Sequence, residues 1–233
     1  MPKPGSRKAS ARKKQPHSVH SNGNELTELA VRACLIASDA ASNTKEFLAN
    51  SSRLAFLAVR DCEKELDRIE QQIDEQLPAA ITDVGELEAR ELLACLRFST
   101  DLERIGDLLW GVAQRAHSLE TQLPQVDVRQ LIEILDVLAN MLQQIRVSFV
   151  ERALDPAGSV LRADREIDQI YKSLFRRHVQ SDSRSEPKYG ADALLMAQAL
   201  ERAGDHATNL AEELFRLIEG RSLRHTPKRQ LRD

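Results

Sequence analysis

Apolar residues recur at three- and four-residue steps through six long segments of the 233-residue chain, the spacing that lines one face of an α-helix. The first helix is expected from near Glu25 to about Asn50, through Leu26, Leu29, Ala33 and Ile36. Asn50-Ser51-Ser52 reads as a kink or cap before a second helix carrying Leu54, Leu57, Leu66, Ile69 and Ile73, which Pro78 is expected to end. After Asp83-Val84-Gly85, a third and long helix carries one apolar stripe of Leu92, Cys95, Ser99, Leu102, Ile105, Leu109 and Val112. Leu123-Pro124 closes this half. A fourth helix then covers roughly Val128 to Arg152, with Leu131, Ile134, Leu135, Leu138, Leu142 and Ile145 in register. Leu154-Asp155-Pro156 is expected to separate it from a fifth helix, through Val160, Leu161, Ile167, Ile170 and Leu174. The polar stretch from Gln180 to Lys188 reads as the longest internal loop. A sixth helix runs from about Gly190 to Ile218 and ends at Glu219-Gly220, where glycine suits the residue after a helix.

Two of these helices say nearly the same thing. Leu102-Glu103-Arg104-Ile105-Gly106-Asp107 returns, 98 residues later, as Leu200-Glu201-Arg202-Ala203-Gly204-Asp205. The second and fifth helices repeat as well: Glu63-Lys64-Glu65-Leu66-Asp67 returns 101 residues on as Asp164-Arg165-Glu166-Ile167-Asp168. The chain is therefore an internal duplication. The expected fold is all-α, two tandem three-helix bundles at residues 24–123 and 124–220. They are flanked by a basic tail at 1–23, read as disordered for want of apolar residues, and a basic tail at 221–233.

Each half thus carries two acid-x-x-x-Asp pairs. Acids four apart share a helix face and repel, costing roughly 0.2–0.5 kcal/mol on an exposed helix. In an up-down-up bundle the second and third helices of a half are adjacent and antiparallel, so four carboxylates would converge. Carboxylate oxygen suits hard cations such as Mg²⁺, Ca²⁺ and Mn²⁺, and carboxylate-rich helical sites also hold iron. Gly106 and Gly204 clear a side chain three residues after each Glu, at about 1 kcal/mol against Ala, which points to close backbone or ligand approach. The competing account is that such spacings arise on any charged helix and that these acids pair with Arg104, Arg165 and Arg202. Recurrence at four equivalent places favours a shared cation site. His206 is a candidate further ligand or a hydrogen-bonder, Asn209 a hydrogen-bonder to a ligand or to its neighbouring helix, and Trp110 and Tyr171 read as packing residues.

Composition narrows the classes. Aromatics are scarce and only nine glycines and eight prolines interrupt the chain, a helical balance. No apolar run is long enough to cross a bilayer, and no apolar segment follows the basic start as in a secretory signal. Cys34, Cys62 and Cys95 have neither disulfide nor zinc-site spacing and read as small packing residues in a reducing compartment. Residues 1–14 hold six basic residues and no acid, and residues 221–233 hold five against Asp233, so the net charge of −3 places an acidic body between basic tails. An acidic body argues against nucleic-acid binding, which needs clustered positive charge on a folded face. There is no phosphate-cradling glycine loop and no Ser-His-Asp or Cys-His arrangement, so no catalytic residue is assigned. A carboxylate-bridged metalloenzyme would want Glu-x-x-His, a spacing that the adjacent Asp205-His206 lacks.

Over about residues 25–220 the sequence resembles the PhoU family of phosphate-uptake regulators. The family pattern is acid-x-x-x-Asp on the second helix of each repeat and Leu-Glu-Arg-Ile-Gly-Asp-His-Ala-x-Asn-Ile-Ala-Glu on the third. Leu200 to Glu212 match it closely, whereas the first half continues Leu108-Leu109-Trp110-Gly111 and loses the His and Asn, which ranks the second-half site above the first. The resemblance implies metal sites at Glu63, Asp67, Glu103 and Asp107, and at Asp164, Asp168, Glu201 and Asp205, holding multinuclear iron or zinc. It implies a cytoplasmic regulator, a homodimer or larger, that is not an enzyme. Its implied partners are the ATPase subunit of a phosphate ABC transporter and a membrane sensor histidine kinase, with starvation genes repressed when phosphate is plentiful. The alternative is an accessory protein of a secondary phosphate permease.

Overall fold

The computed structural model describes residues 19–119, 123–180 and 187–220. Among these, six helices follow one another: α1 (Val19–Asn50), α2 (Arg53–Ala80), α3 (Glu86–Ser118), α4 (Gln125–Glu151), α5 (Leu154–Phe175) and α6 (Pro187–Glu219). A π-helical turn, Arg176–Gln180, extends α5. The all-α duplicated architecture follows the hydrophobic periodicity.

Several boundaries differ from expectation. Helix α1 starts at Val19 instead of near Glu25, so the end of the expected disordered tail is helical. That stretch has no apolar face for periodicity to detect, yet a nucleated helix extends without one. The remainder of both basic tails lies outside the described residues. Pro78 does not end α2, which runs on to Ala80. Pro78 and Asp74 are both exposed, so the Asp74 carbonyl that loses its partner faces water. The Ile81 amide closes the helix on the Leu77 carbonyl at 2.9 Å. Leu154-Asp155-Pro156 is not a separator but the first turn of α5, where a missing proline N–H costs nothing. The break is at Arg152, in the left-handed region at φ 53°, and the Ser148 hydroxyl holds it by donating to the Ala153 carbonyl. The expected Gln180–Lys188 loop is shortened from both sides, since Gln180 closes the π turn and α6 already begins at Pro187; residues 181–186 lie outside the described residues. The second helix is capped as its sequence suggests, Ser52 accepting from the Ala55 amide.

Among the described residues α2 packs on α1 and α3 alone, and α5 on α4, α6 and its own π turn. The other four form a ring in which α1 meets α3 and α4, and α6 meets α3 and α4. The two three-helix units therefore share one continuous core. Phe98 and Phe149 meet across its diagonal at 4.8 Å between centroids, within the usual range for aromatic pairs. Surrounded by three helices, α1 turns Ala30, Ala33, Ala37, Ala40 and Ala41 inward, all buried, which lets its neighbours approach closely. Ser99 is buried in the α3 stripe at no cost, because its hydroxyl donates to the Leu96 carbonyl at 2.8 Å. Cys34 and Cys95 are buried packing residues, and burial pushes the Cys34 thiol up to about 12.

Candidate functional site

What brings the acids together is a matched pair of glycines. A Cβ on Gly106 would lie 2.6 Å from Leu66 Cδ1 and 3.7 Å from Glu63 Cα. A Cβ on Gly204 would lie 3.0 Å from Ile167 Cδ1. Leu66 and Ile167 are the buried residues immediately before Asp67 and Asp168. In each half the glycine is the hole and the aliphatic residue of the facing acidic motif is the knob. The glycines therefore serve close approach of two helices, and this approach sets the acids side by side on the seam.

On the α2–α3 seam Glu63 has its pKa raised by burial first, and then by the charges of Asp107 across the seam and Asp67 one turn along its own helix. Glu103 is pushed up to about 7, again by burial first, with Asp107 and Glu70 adding to the rise and Arg104 opposing it. Asp67, Glu70 and Glu103 bring one carboxylate oxygen each within 4.8 Å of one another. Glu103 Oε2 is buried and accepts no hydrogen bond; Arg104 Nε is 3.4 Å away, at ion-pair distance without hydrogen-bond geometry. Arg104 also reaches Asp107 at 3.7 Å. The expected pairing of acids with Arg104 thus exists, but it leaves one buried oxygen unsatisfied. Glu70 was not among the residues singled out from the sequence. Its place seven residues after Glu63 on the same helix face was the available signal.

The α5–α6 seam repeats the plan with different neighbours. Burial raises the pKa of Glu201, and the charges of Asp205, Asp168 and Asp164 add to the rise while Arg202 opposes it. The other three predicted acids of this half therefore all act on Glu201. Here Asp168 is held by Lys172 Nζ at 2.8 Å, and at the position equivalent to Glu70 the chain carries Tyr171.

His206 turns away from the acids. Its Nδ1 lies 2.8 Å from Asp101 Oδ1 on α3, so its place is a hydrogen bond between the two halves. Asn209 is half-buried one turn beyond Asp205. Trp110 packs on Phe56 at 4.9 Å and Tyr171 on Phe175 at 6.4 Å, as packing residues would. A second buried cluster escaped the sequence reading. Asp127, wholly buried at the start of α4, faces Arg177 Nη1 at 2.5 Å and His178 Nε2 at 2.9 Å, both from the π turn. Asp127 had no motif to mark it, and only burial shows that it is paired.

A duplicated three-helix bundle with a carboxylate cluster on the outer seam of each half defines a class of helical, acid-lined repeat proteins. Residues 31–116 and 131–214 each match the PhoU domain, one match per half, and the chain belongs to the PhoU family. It is 32% identical to the phosphate-specific transport system accessory protein PhoU homolog of Rhizobium meliloti, over 66% of this chain and 68% of that one. It is 33% identical to the homolog of that name in Xylella fastidiosa, over 68% of this chain and 67% of that one. The crystal structure of PhoU from Pseudomonas aeruginosa superposes with a TM-score of 0.78 at 25% identity, covering 88% of this chain and all of that one. No helix among the described residues is long and apolar enough to cross a membrane.

Proposed function

We propose that the protein is a non-catalytic accessory regulator of phosphate transport, working by protein contact and holding metal ions on its two acidic seams. The observation that carries the reading is the recurrence of converging carboxylates at equivalent places in a chain whose two halves both match the PhoU domain. The names of its relatives supply the system, a phosphate-specific transporter.

The donor set suits a cation. Three carboxylates within 4.8 Å, with a buried Glu103 oxygen that accepts no hydrogen bond, form a site whose mutual repulsion an ion relieves. Glu63, Asp67, Glu70, Glu103 and Asp107 would hold it in the first half, and Asp164, Asp168, Glu201 and Asp205 in the second. Iron and zinc are the expected occupants, and a bound ion supplies positive charge that ties the two helices of a seam together and leaves coordination positions toward a partner. Lys172 and Arg104 partly neutralise the acids in the meantime.

In this reading the protein is a cytoplasmic homodimer or larger oligomer that touches the ATPase subunit of the phosphate transporter and a membrane sensor kinase, and represses starvation genes when phosphate is plentiful. The test is alkaline phosphatase activity in phosphate-rich medium, with the gene deleted and then restored. Constitutive activity that the intact gene switches off supports the regulator. Normal repression without the gene would leave the accessory protein of a secondary permease as the reading to pursue.

A further inference from the structure

A threonine in a helix can satisfy its hydroxyl on the carbonyl one turn back. Thr27, Thr44, Thr82 and Thr100 all do so, donating to the carbonyls of Gly23, Ala40, Pro78 and Leu96 at 3.1, 2.8, 3.0 and 3.2 Å. Thr208 is the exception among the described threonines. Its Oγ1 is buried and has no hydrogen-bond partner among the described residues. A buried hydroxyl left unpaired destabilises the fold, so its place calls for a reason.

Thr208 stands on the side of α6 that faces the acidic seam. It follows Glu201 by seven residues, Gly204 by four and Asp205 by three, spacings that share one helix face. Gly204 is the position that meets Ile167 of α5. The two helices run antiparallel, since Gly190 meets His178 whereas Gly204 meets Ile167. One turn on from Gly204, Thr208 is therefore level with the turn of α5 that carries Asp164. The first half shows the same direction: the equivalent residue, 98 positions earlier, is Trp110, which packs on Phe56 of α2 at 4.9 Å. Where that half has two rings, the second has Thr208 and Ala157, which lies 101 positions after Phe56. The neighbouring polar residues of α6 belong to another face. His206 takes Asp101, and Asn209 lies between His206 and Glu213, which Arg97 holds.

We infer that Thr208 belongs to the binding set of the second seam, its Oγ1 supplying an uncharged oxygen to the cation that Asp164, Asp168, Glu201 and Asp205 hold. The inference rests on the reading of the acidic seams as metal sites. Hydroxyl and carboxylate are both hard oxygen donors, and an uncharged one adds a ligand without adding to the repulsion among the acids. The test is titration calorimetry with Mn²⁺ on the full chain carrying Glu103→Ala and Asp107→Ala, so that the second seam answers. Thr208→Val keeps the shape of the side chain and removes the oxygen; it should weaken Mn²⁺ about tenfold. Thr208→Ser, which keeps the oxygen, should bind as the parent does. In chelator Thr208→Val should melt no lower than the parent, because it removes an unpaired buried polar atom. Affinity for Mn²⁺ indifferent to Thr208→Val overturns the inference and leaves the metal reading standing. Thr208→Ser as weak as Thr208→Val would give the effect to the packing of the methyl group and overturns it too. So does a lower melting temperature of Thr208→Val in chelator, which would make the hydroxyl a partner within the fold. If the chain with both seams intact binds no Mn²⁺, Zn²⁺ or iron, the metal reading itself fails, and the inference with it.

Discussion

The two acidic seams share a plan and differ in their surroundings. The first has Glu70 and Gln71 where the second has Tyr171 and Lys172, so an extra carboxylate stands in one and an extra cation in the other. Gln71 donates only a 3.3 Å hydrogen bond to Asp67, while Lys172 forms a full ion pair with Asp168. The sequence motif ranks the second site higher, because it keeps the His and Asn of the family pattern. The geometry ranks the first higher: His206 is committed to Asp101, and the clustered oxygens and the unsatisfied Glu103 are on α2 and α3. Motif completeness measures ancestry, whereas affinity depends on how much repulsion an ion relieves.

The links between second and third helices differ too, and here the largest effect is expected. Among the described residues a π turn follows α5 and has no counterpart after α2, and it closes on the buried carboxylate of Asp127. Asp127→Ala should cost about 3–5 kcal/mol in denaturant unfolding, because it leaves Arg177 and His178 without their buried counter-ion. Hydrogen exchange should show the loss first at the start of α4 and the end of α5; uniform loss over both halves would break the comparison. Next, the metal ranking is open to titration calorimetry with Mn²⁺ or Zn²⁺. Glu103→Ala with Asp107→Ala should weaken binding about 100-fold, and Glu201→Ala with Asp205→Ala about tenfold, since each site loses two charged ligands but the second starts partly neutralised. The reverse order would restore the ranking by motif. A single exchange sharpens the cause: Glu70→Gln should lower affinity at the first site about tenfold, a loss of about 1.4 kcal/mol. No change would remove Glu70 from the ligand set.

The glycines give a smaller contrast. Gly106→Ala forces its Cβ against Leu66 at 2.6 Å and should cost about 1 kcal/mol, overpacking outweighing the gain in helix propensity. Gly204→Ala, at 3.0 Å from Ile167, should be close to neutral by thermal unfolding, and equal costs would deny the difference in fit. The smallest effect is on pH. Glu103 has a folded pKa of about 7 against 4.5 unfolded, so the folded state binds more protons between those values. In chelator the stabilisation is present below pH 4.5 and is lost as pH rises to about 7. Glu103→Gln should flatten that slope in Tm more than Glu201→Gln, and metal should stabilise more as pH rises and its ligands ionise.

Much of this protein was legible in one dimension. Helical periodicity located six helices, because an amphipathic helix must repeat its apolar face every 3.6 residues wherever it packs. The repeated acid-x-x-x-Asp and Glu-Arg-x-Gly-Asp strings carried the duplication and the family, and they marked the acids whose charges act on Glu63, Glu103 and Glu201 across the two seams, except Glu70. The errors came at ends. Pro78 and Pro156 read as breaks, yet each is tolerated where the orphaned carbonyl faces water or no amide is needed. Val19–Gly23 read as tail because backbone hydrogen bonds leave no mark on a polar sequence.

Local spacing determines which residues share a helix face, since that follows from backbone geometry alone. It therefore set the acidic pairs, the glycine holes and the helix-ending Gly220. Which face meets which is a property of two helices at once. Only the tertiary structure could bring Glu70 to Glu103, turn His206 from the acids to Asp101, bury Asp127 against Arg177, and leave Gly111 without a packing neighbour within 4 Å of where its Cβ would stand. Those outcomes depend on the rotation and approach of packed helices, and these are fixed by the summed burial of the whole core.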